Sequence, residues 1–151
     1  MNNIVYKSRV VFKEEDILSL YNDVGWTNYM EDMSKLIEAV ESSLFCVSAW
    51  DGDKLVGLIR IVGDGLTIIY IQDILVMSAY KRKGIGSELL KHALDKYKNV
   101  RQKVLITDES EETRGFYEAN SFTSTNKFAI AAFVKFNWLL IPLYIKHGGL
   151  P

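Results

Sequence analysis

Apolar residues recur along this chain with two different periods, and the switches between them mark out its elements. β-Branched and aromatic residues are dense over 4–12, which predicts a first strand. Lys13 leads into Glu14, Glu15 and Asp16, acids placed where a helix N-terminus favours them, so a helix is expected over 14–23 with Gly25 as its stop. After a loop at 26–29, Met33, Leu36, Ile37 and Val40 have the spacing of a second amphipathic helix. Residues 44–50 and 54–62 read as strands joined at Asp51-Gly52-Asp53, whose Asp-Gly supplies the positive φ of a hairpin turn. Gly63-Asp64-Gly65 is a second turn. It leads into 66–77, a long strand that is apolar almost throughout except at Gln72 and Asp73. From Gly84 onward, Ile85, Leu89, Leu90, Ala93, Leu94 and Tyr97 return to helical spacing, with Lys91, His92, Asp95, Lys96 and Lys98 on the other side. Residues 103–107 predict a short strand, 111–119 a short helix and 128–136 a last strand. Helices set between strands make this an α/β or α+β pattern.

Composition narrows the classes. A chain of 151 residues suits one domain, and 48% apolar with 25% charged residues is ordinary for a soluble protein. The formal net charge of −1 gives no general attraction to phosphate backbones, so no nucleic-acid partner is expected. Cys46 is the only cysteine, and His92 and His147 are far apart in sequence, so neither an intrachain disulfide nor a metal site is expected. Lys7, Arg9 and Lys13 interrupt the apolar start, unlike a signal peptide, and a cytoplasmic location is the expectation. The apolar stretch 138–145 contains Pro142 and is too short to span a bilayer as a helix, so no membrane partner is expected. An extra strand or strap over the core is one reading of it, a homodimer contact the other.

The chemistry concentrates after the long strand. Lys81-Arg82-Lys83-Gly84-Ile85-Gly86-Ser87 is a basic turn with two glycines that opens a helix. Unpaired amides at a helix start point outward along a favourable dipole, and glycine lets the backbone approach phosphate oxygens. Ser87 adds a hydroxyl, and Lys81, Arg82 and Lys83 add charge for a polyanion. The terminal Gly-Lys-Ser/Thr of a nucleotide triphosphate loop is missing, and Leu89 stands at the third glycine of a dinucleotide fingerprint.

With these residues in view the chain resembles the GNAT family of N-acetyltransferases, whose cofactor motif is Gln/Arg-x-x-Gly-x-Gly/Ala. The preceding strand is here Ile74-Leu75-Val76, and Gly115-Phe116-Tyr117-Glu118-Ala119-Asn120-Ser121-Phe122 looks like the family's Phe-Tyr-Glu-x-x-Gly-Phe. Three positions depart from the pattern: Lys81 for Gln/Arg, Ser121 for Gly, and Ser110 where many members have a cofactor-contacting Asn. The resemblance implies a GNAT-like acyl-CoA N-acyltransferase fold, a mixed sheet of about six to seven strands flanked by about four helices. That domain would cover 1–137, with 138–151 as an apolar tail packed on it or on an interface. It also implies acetyl-CoA as cosubstrate, held by Ile74, Leu75, Val76, Lys81, Arg82, Lys83, Gly84, Ile85, Gly86, Ser87 and Ser110. Backbone groups around Leu75 and Val76 would pair with the pantetheine arm where the central strand splays from its neighbour.

Acetyl transfer to an amine requires a neutral nucleophile, stabilisation of an oxyanion and a proton for the departing thiolate. Tyr117 matches the family's general acid, and a phenol is protonated at neutral pH; a buried core tyrosine is the alternative. Asp73 interrupts an apolar strand and has three readings: base for the amine, directly or through water, binder of a substrate ammonium, or structural hydrogen-bond partner. Alternation along a strand puts Gln72 and Asp73 on opposite faces. Trp26, Tyr29 and Tyr21 lie on or beside the connection where the family commonly builds its acceptor pocket, and aromatics there, with Asp23, Glu31 and Asp32 nearby, suit a cation; packing of the loop is the other reading of Trp26. Nothing around Cys46 suggests a nucleophile, so direct transfer to a primary amine of a small molecule or peptide is the expected reaction. A non-catalytic coenzyme A-binding sensor of the same fold is the competing class.

Overall fold

The computed structural model describes residues 3–137, apart from the side chains of 28–30. The tail at 138–151, with the strap and dimer readings attached to it, lies outside the described residues. The chain divides into two compact units, the first reaching to Ile106 and the second beginning at Thr107.

In the first unit, β1 (Ile4–Ser8), β2 (Phe45–Asp51), β3 (Lys54–Gly63), β4 (Ile68–Val76) and β5 (Gln102–Val104) form one sheet in sequence order. The first four run as an antiparallel meander, and β5 lies parallel to β4. A parallel neighbour needs a crossover, which α3 (Ile85–Lys96) supplies. The first strand is shorter than expected because Arg9, at φ +58°, turns the chain straight after Ser8.

Helices cover both faces of this sheet. A β-carbon on Gly57 of β3 would come within 3.1 Å of Leu89 and 3.2 Å of Ile85, so α3 lies directly on that face. Arg60, three residues further along the strand, faces the other way. There its guanidinium donates to the Ala39 carbonyl of α2 (Met33–Glu41) at 3.4 Å. α1 (Glu14–Asp23) shares that second face and buries Ile17, Leu20 and Tyr21 completely. Burial of Ile17 and Leu20 contributes about 1.5–3 kcal/mol each. The stretch expected to be a loop after α1 is mostly a 3-10 helix, Thr27–Asp32.

The second unit contains α4 (Glu111–Ala119) and a 3-10 turn, Thr125–Phe128. The sheet therefore has five strands among the described residues, fewer than the six to seven expected. The missing one is at 128–136, where Ala129 sits at φ +55° and Phe128, Ile130, Phe133 and Val134 are exposed. Strand propensity expresses packing against pleated neighbours, and this segment makes no strand pairing among the described residues. No helix among the described residues is long and apolar enough to cross a membrane.

Candidate active site

The parallel ladder between β4 and β5 pairs only Ile68, Ile69 and Tyr70 with Gln102, Lys103 and Val104. Beyond Tyr70, the β5-facing edge of β4 carries no strand pairing among the described residues, while β3 pairs the opposite edge through to Val76. Those backbone groups at 74–76 that point away from β3 therefore have no strand partner among the described residues and suit an extended ligand. The stretch begins at an irregularity. One step along β3, from Arg60 to Ile61, answers two steps along β4, from Asp73 to Ile71, so Gln72 is the extra residue of a bulge. Burial still alternates across that point as expected of the pair, with Gln72 half-buried and Asp73 buried.

β4 runs through Met77 and a short 3-10 turn, Ser78–Tyr80, into the basic turn. Arg82 at φ +59° and Gly84 at φ +80° flank Lys83, whose φ is negative. Alternation of this kind turns successive amides into a shallow anion-binding concavity. Gly84 is required there by its backbone conformation; a β-carbon would meet no heavy atom within 4 Å. α3 has no side-chain cap, and its first backbone bond runs from Glu88 to Gly84 at 3.0 Å. The amides of Ile85, Gly86 and Ser87 precede that bond and lie in the helix's first turn, beside the concavity. Lys81, Arg82, Lys83 and Ser87 are exposed, whereas the Ile85 side chain is buried under the sheet. Tyr80 anchors the approach: its hydroxyl donates to Asp51 at 2.7 Å, and Lys83 lies 4.9 Å over its ring.

Asp73 is almost completely buried. Its Oδ2 accepts from Arg60 Nε at 2.6 Å and from the Tyr21 hydroxyl at 2.8 Å. Of the three roles the sequence leaves open for Asp73, this geometry supports the structural one most directly. Cys46 pairs with Arg60 across β2 and β3, and burial pushes its thiol up to about 12, with Arg60 pulling down and Asp73 pushing up. A thiol protonated at neutral pH is a poor nucleophile. Tyr70, at the end of the β4–β5 ladder, has its phenol raised chiefly by burial, opposed by a hydrogen bond with the Ile106 backbone.

The second unit carries Ser110 and Tyr117. Ser110 caps α4: its Oγ accepts from the Thr113 amide at 3.2 Å and donates to Thr113 Oγ1 at 2.8 Å. Tyr117 is buried, its ring 5.0 Å from Phe116 and 5.8 Å from Phe122. The helix ends in a Schellman motif, with Phe122 N–H bonded to Tyr117 O, Ser121 N–H to Glu118 O, and Ser121 at φ +67°. α1 ends the same way, with Trp26 N–H on Tyr21 O, Gly25 N–H on Asn22 O and Gly25 at φ +78°. Ser121 therefore occupies a left-handed position that glycine fills more cheaply.

Of the residues expected at the acceptor pocket, Trp26 is half-buried with its ring 6.3 Å from that of Tyr21, and Tyr29 lies in the 3-10 helix with its side chain outside the described set. Asp32 caps α2 by accepting from the Lys35 amide. The first unit thus brings Asp73, Ile74, Leu75, Val76 and the turn 81–87 into one continuous stretch. Arg60 escapes the motif reading as a site residue, although its place inside the apolar stretch 54–62 is the signal that could have found it; Tyr21, expected among the acceptor-side aromatics, also bonds to Asp73. The acids at Asp23, Glu31 and Asp32 belong to a wider charge division: 14–41 holds eight acids and one lysine, while 81–103 holds eight Lys and Arg with two acids. No three His, Cys, Asp or Glu among the described residues are grouped to hold a metal ion.

Residues 12–137 match the family described as an acetyltransferase (GNAT) domain. Among solved structures, a GNAT family acetyltransferase of Streptococcus pneumoniae TIGR4 is 41% identical, with a TM-score of 0.79 over 89% of this chain and 98% of its own. A protein of meticillin-resistant Staphylococcus aureus is 25% identical, with a TM-score of 0.69 over 87% of this chain and all of its own (100%). An aminoglycoside acetyltransferase from an uncultured soil metagenomic sample, in complex with sisomicin, shares the fold at 16% identity and a TM-score of 0.66, covering 92% of this chain and 97% of its own. No significant match is found among curated proteins.

Proposed function

Since the chain belongs to the GNAT family of acetyltransferases, we propose that it moves the acetyl group of acetyl-CoA to a primary amine by direct transfer in a ternary complex. The observation that carries this reading is the open half of β4 running straight into an exposed, basic, positive-φ turn. An extended amide-bearing arm suits the first and a pyrophosphate the second. Lys81, Arg82 and Lys83 supply the counter-charge, and the amides at 85–87 the directional donors.

In this reading Tyr117 donates the proton to the departing thiolate, and an amide of the open half of β4 polarises the thioester carbonyl. Asp73 is not assigned as the base. Protonating it would leave the buried Arg60 guanidinium without its counter-charge, which is expensive in a low-dielectric site. The acid-rich segment 14–41, which includes Trp26 and Tyr29, supports a cationic acceptor, since acids and aromatic faces both attract ammonium groups. An aminoglycoside is the acceptor class that the sisomicin-bound neighbour suggests for a first assay.

The test is release of coenzyme A from acetyl-CoA across a panel of aminoglycosides, polyamines and peptides. Tyr117→Phe should cut turnover about 100-fold, the low end of general-acid contributions, while coenzyme A affinity stays unchanged. Full turnover by Tyr117→Phe would remove Tyr117 from the mechanism. Tight coenzyme A binding with no transfer to any amine would favour the non-catalytic sensor.

A further inference from the structure

The open half of β4 has no strand partner on one edge among the described residues, yet the last turn of α1 reaches it at both ends. Tyr21 donates to Asp73, the residue just past the bulge, at 2.8 Å. Asp23 Oδ2 accepts from the Ser78 amide, just beyond Val76, at 2.6 Å. Two positions apart on a helix, these side chains leave it in nearly opposite directions, about 200° around the axis. One is completely buried and the other exposed, so a single turn spans the stretch from inside and outside. Arg60 binds the same Asp73 oxygen from β3, at the register pair where the ladder shifts.

A buried ion pair adds little net stability over well-packed apolar side chains, so its value lies in fixing geometry. A bulge needs such fixing because it disrupts the ladder locally. We propose that the last turn of α1 is a splint for the open half of β4, with Tyr21, Asp23, Asp73 and Arg60 as positioning residues for the backbone at 74–76. The inference rests on the reading that this edge binds acetyl-CoA. It gives the acceptor side a part in cofactor geometry, because Trp26 bonds through its amide to Tyr21 O at 3.0 Å and its ring lies against the Tyr21 ring.

The probe is acetyl-CoA labelled with carbon-13 at the thioester carbonyl, whose resonance reports hydrogen bonding to that oxygen. Coenzyme A affinity is measured alongside by calorimetry, and folding by thermal unfolding. Tyr21→Phe removes one oxygen and Asp23→Ala alters a surface side chain, so the double variant keeps the fold; Asp73→Asn is the stronger companion. Wild type should show the carbonyl displaced from its free position. The double variant should lose about half of that displacement or more, while coenzyme A affinity changes less than about threefold. Unchanged displacement in both the double variant and Asp73→Asn overturns the splint, as does a wild type that binds acetyl-CoA with its carbonyl undisplaced. Failure of the wild type to bind acetyl-CoA at all would defeat the acetyltransferase reading first, and the splint with it.

Discussion

The two halves of β4 solve the same structural problem differently. At Ile68, Ile69 and Tyr70 the strand is held on both edges by backbone ladders, to β3 and to β5. From the bulge onward one edge has no strand pairing among the described residues, and side chains do the holding: Arg60 and Tyr21 on Asp73, and Asp23 on the Ser78 amide. Where backbone pairing is complete, the strand has nothing to offer a ligand. Where one edge has no strand pairing among the described residues, polar side-chain contacts, buried at Asp73 and exposed at Ser78, take over the structural work. Stability and binding should therefore separate along a single strand.

The largest effect tests the side-chain support of the open half. Arg60→Ala leaves the Asp73 carboxylate buried without its ion-pair partner and should cost about 3–5 kcal/mol in urea unfolding; a loss below about 1 kcal/mol would mean the pair is not needed there. In the paired half, Ile69 is completely buried, and Ile69→Ala should cost about 2–5 kcal/mol while leaving coenzyme A affinity alone in the folded protein. A large affinity loss from Ile69→Ala would erase the distinction between the halves. Gly86→Glu should do the reverse, lowering coenzyme A affinity about 100-fold, or about 2.7 kcal/mol, because it puts a carboxylate beside the pyrophosphate. Retained affinity would make the turn merely structural. The smallest effect is a control away from β4: Ser121→Gly should stabilise the protein by about 1 kcal/mol by relieving a left-handed residue, as Gly25 already does at the end of α1.

What could be read in the sequence follows the range of the physics involved. The hairpin at Asp51-Gly52, the helical stripe from Ile85 and the basic turn are local patterns, and local rules suffice to place them. Asp73 is visible as a polar residue in an apolar strand, but its partner Arg60 lies 13 residues away and Tyr21 lies 52 away, and only tertiary pairing brings them together. The bulge at Gln72 is invisible for the same reason, since a register shift belongs to two strands and not to one. Residues 128–136 have strand-like composition without a strand partner among the described residues, so there propensity alone overcounts the sheet. Arg82 takes a positive φ with no sequence signal at all.

The most direct test of the central claim is a titration of the nitrogen-15-labelled protein with coenzyme A, followed amide by amide. The account predicts the largest shift changes at 74–76 and 82–87, with much smaller ones at Ile68, Ile69 and Tyr70. Changes confined to other surfaces, or equal along both halves of β4, would contradict it.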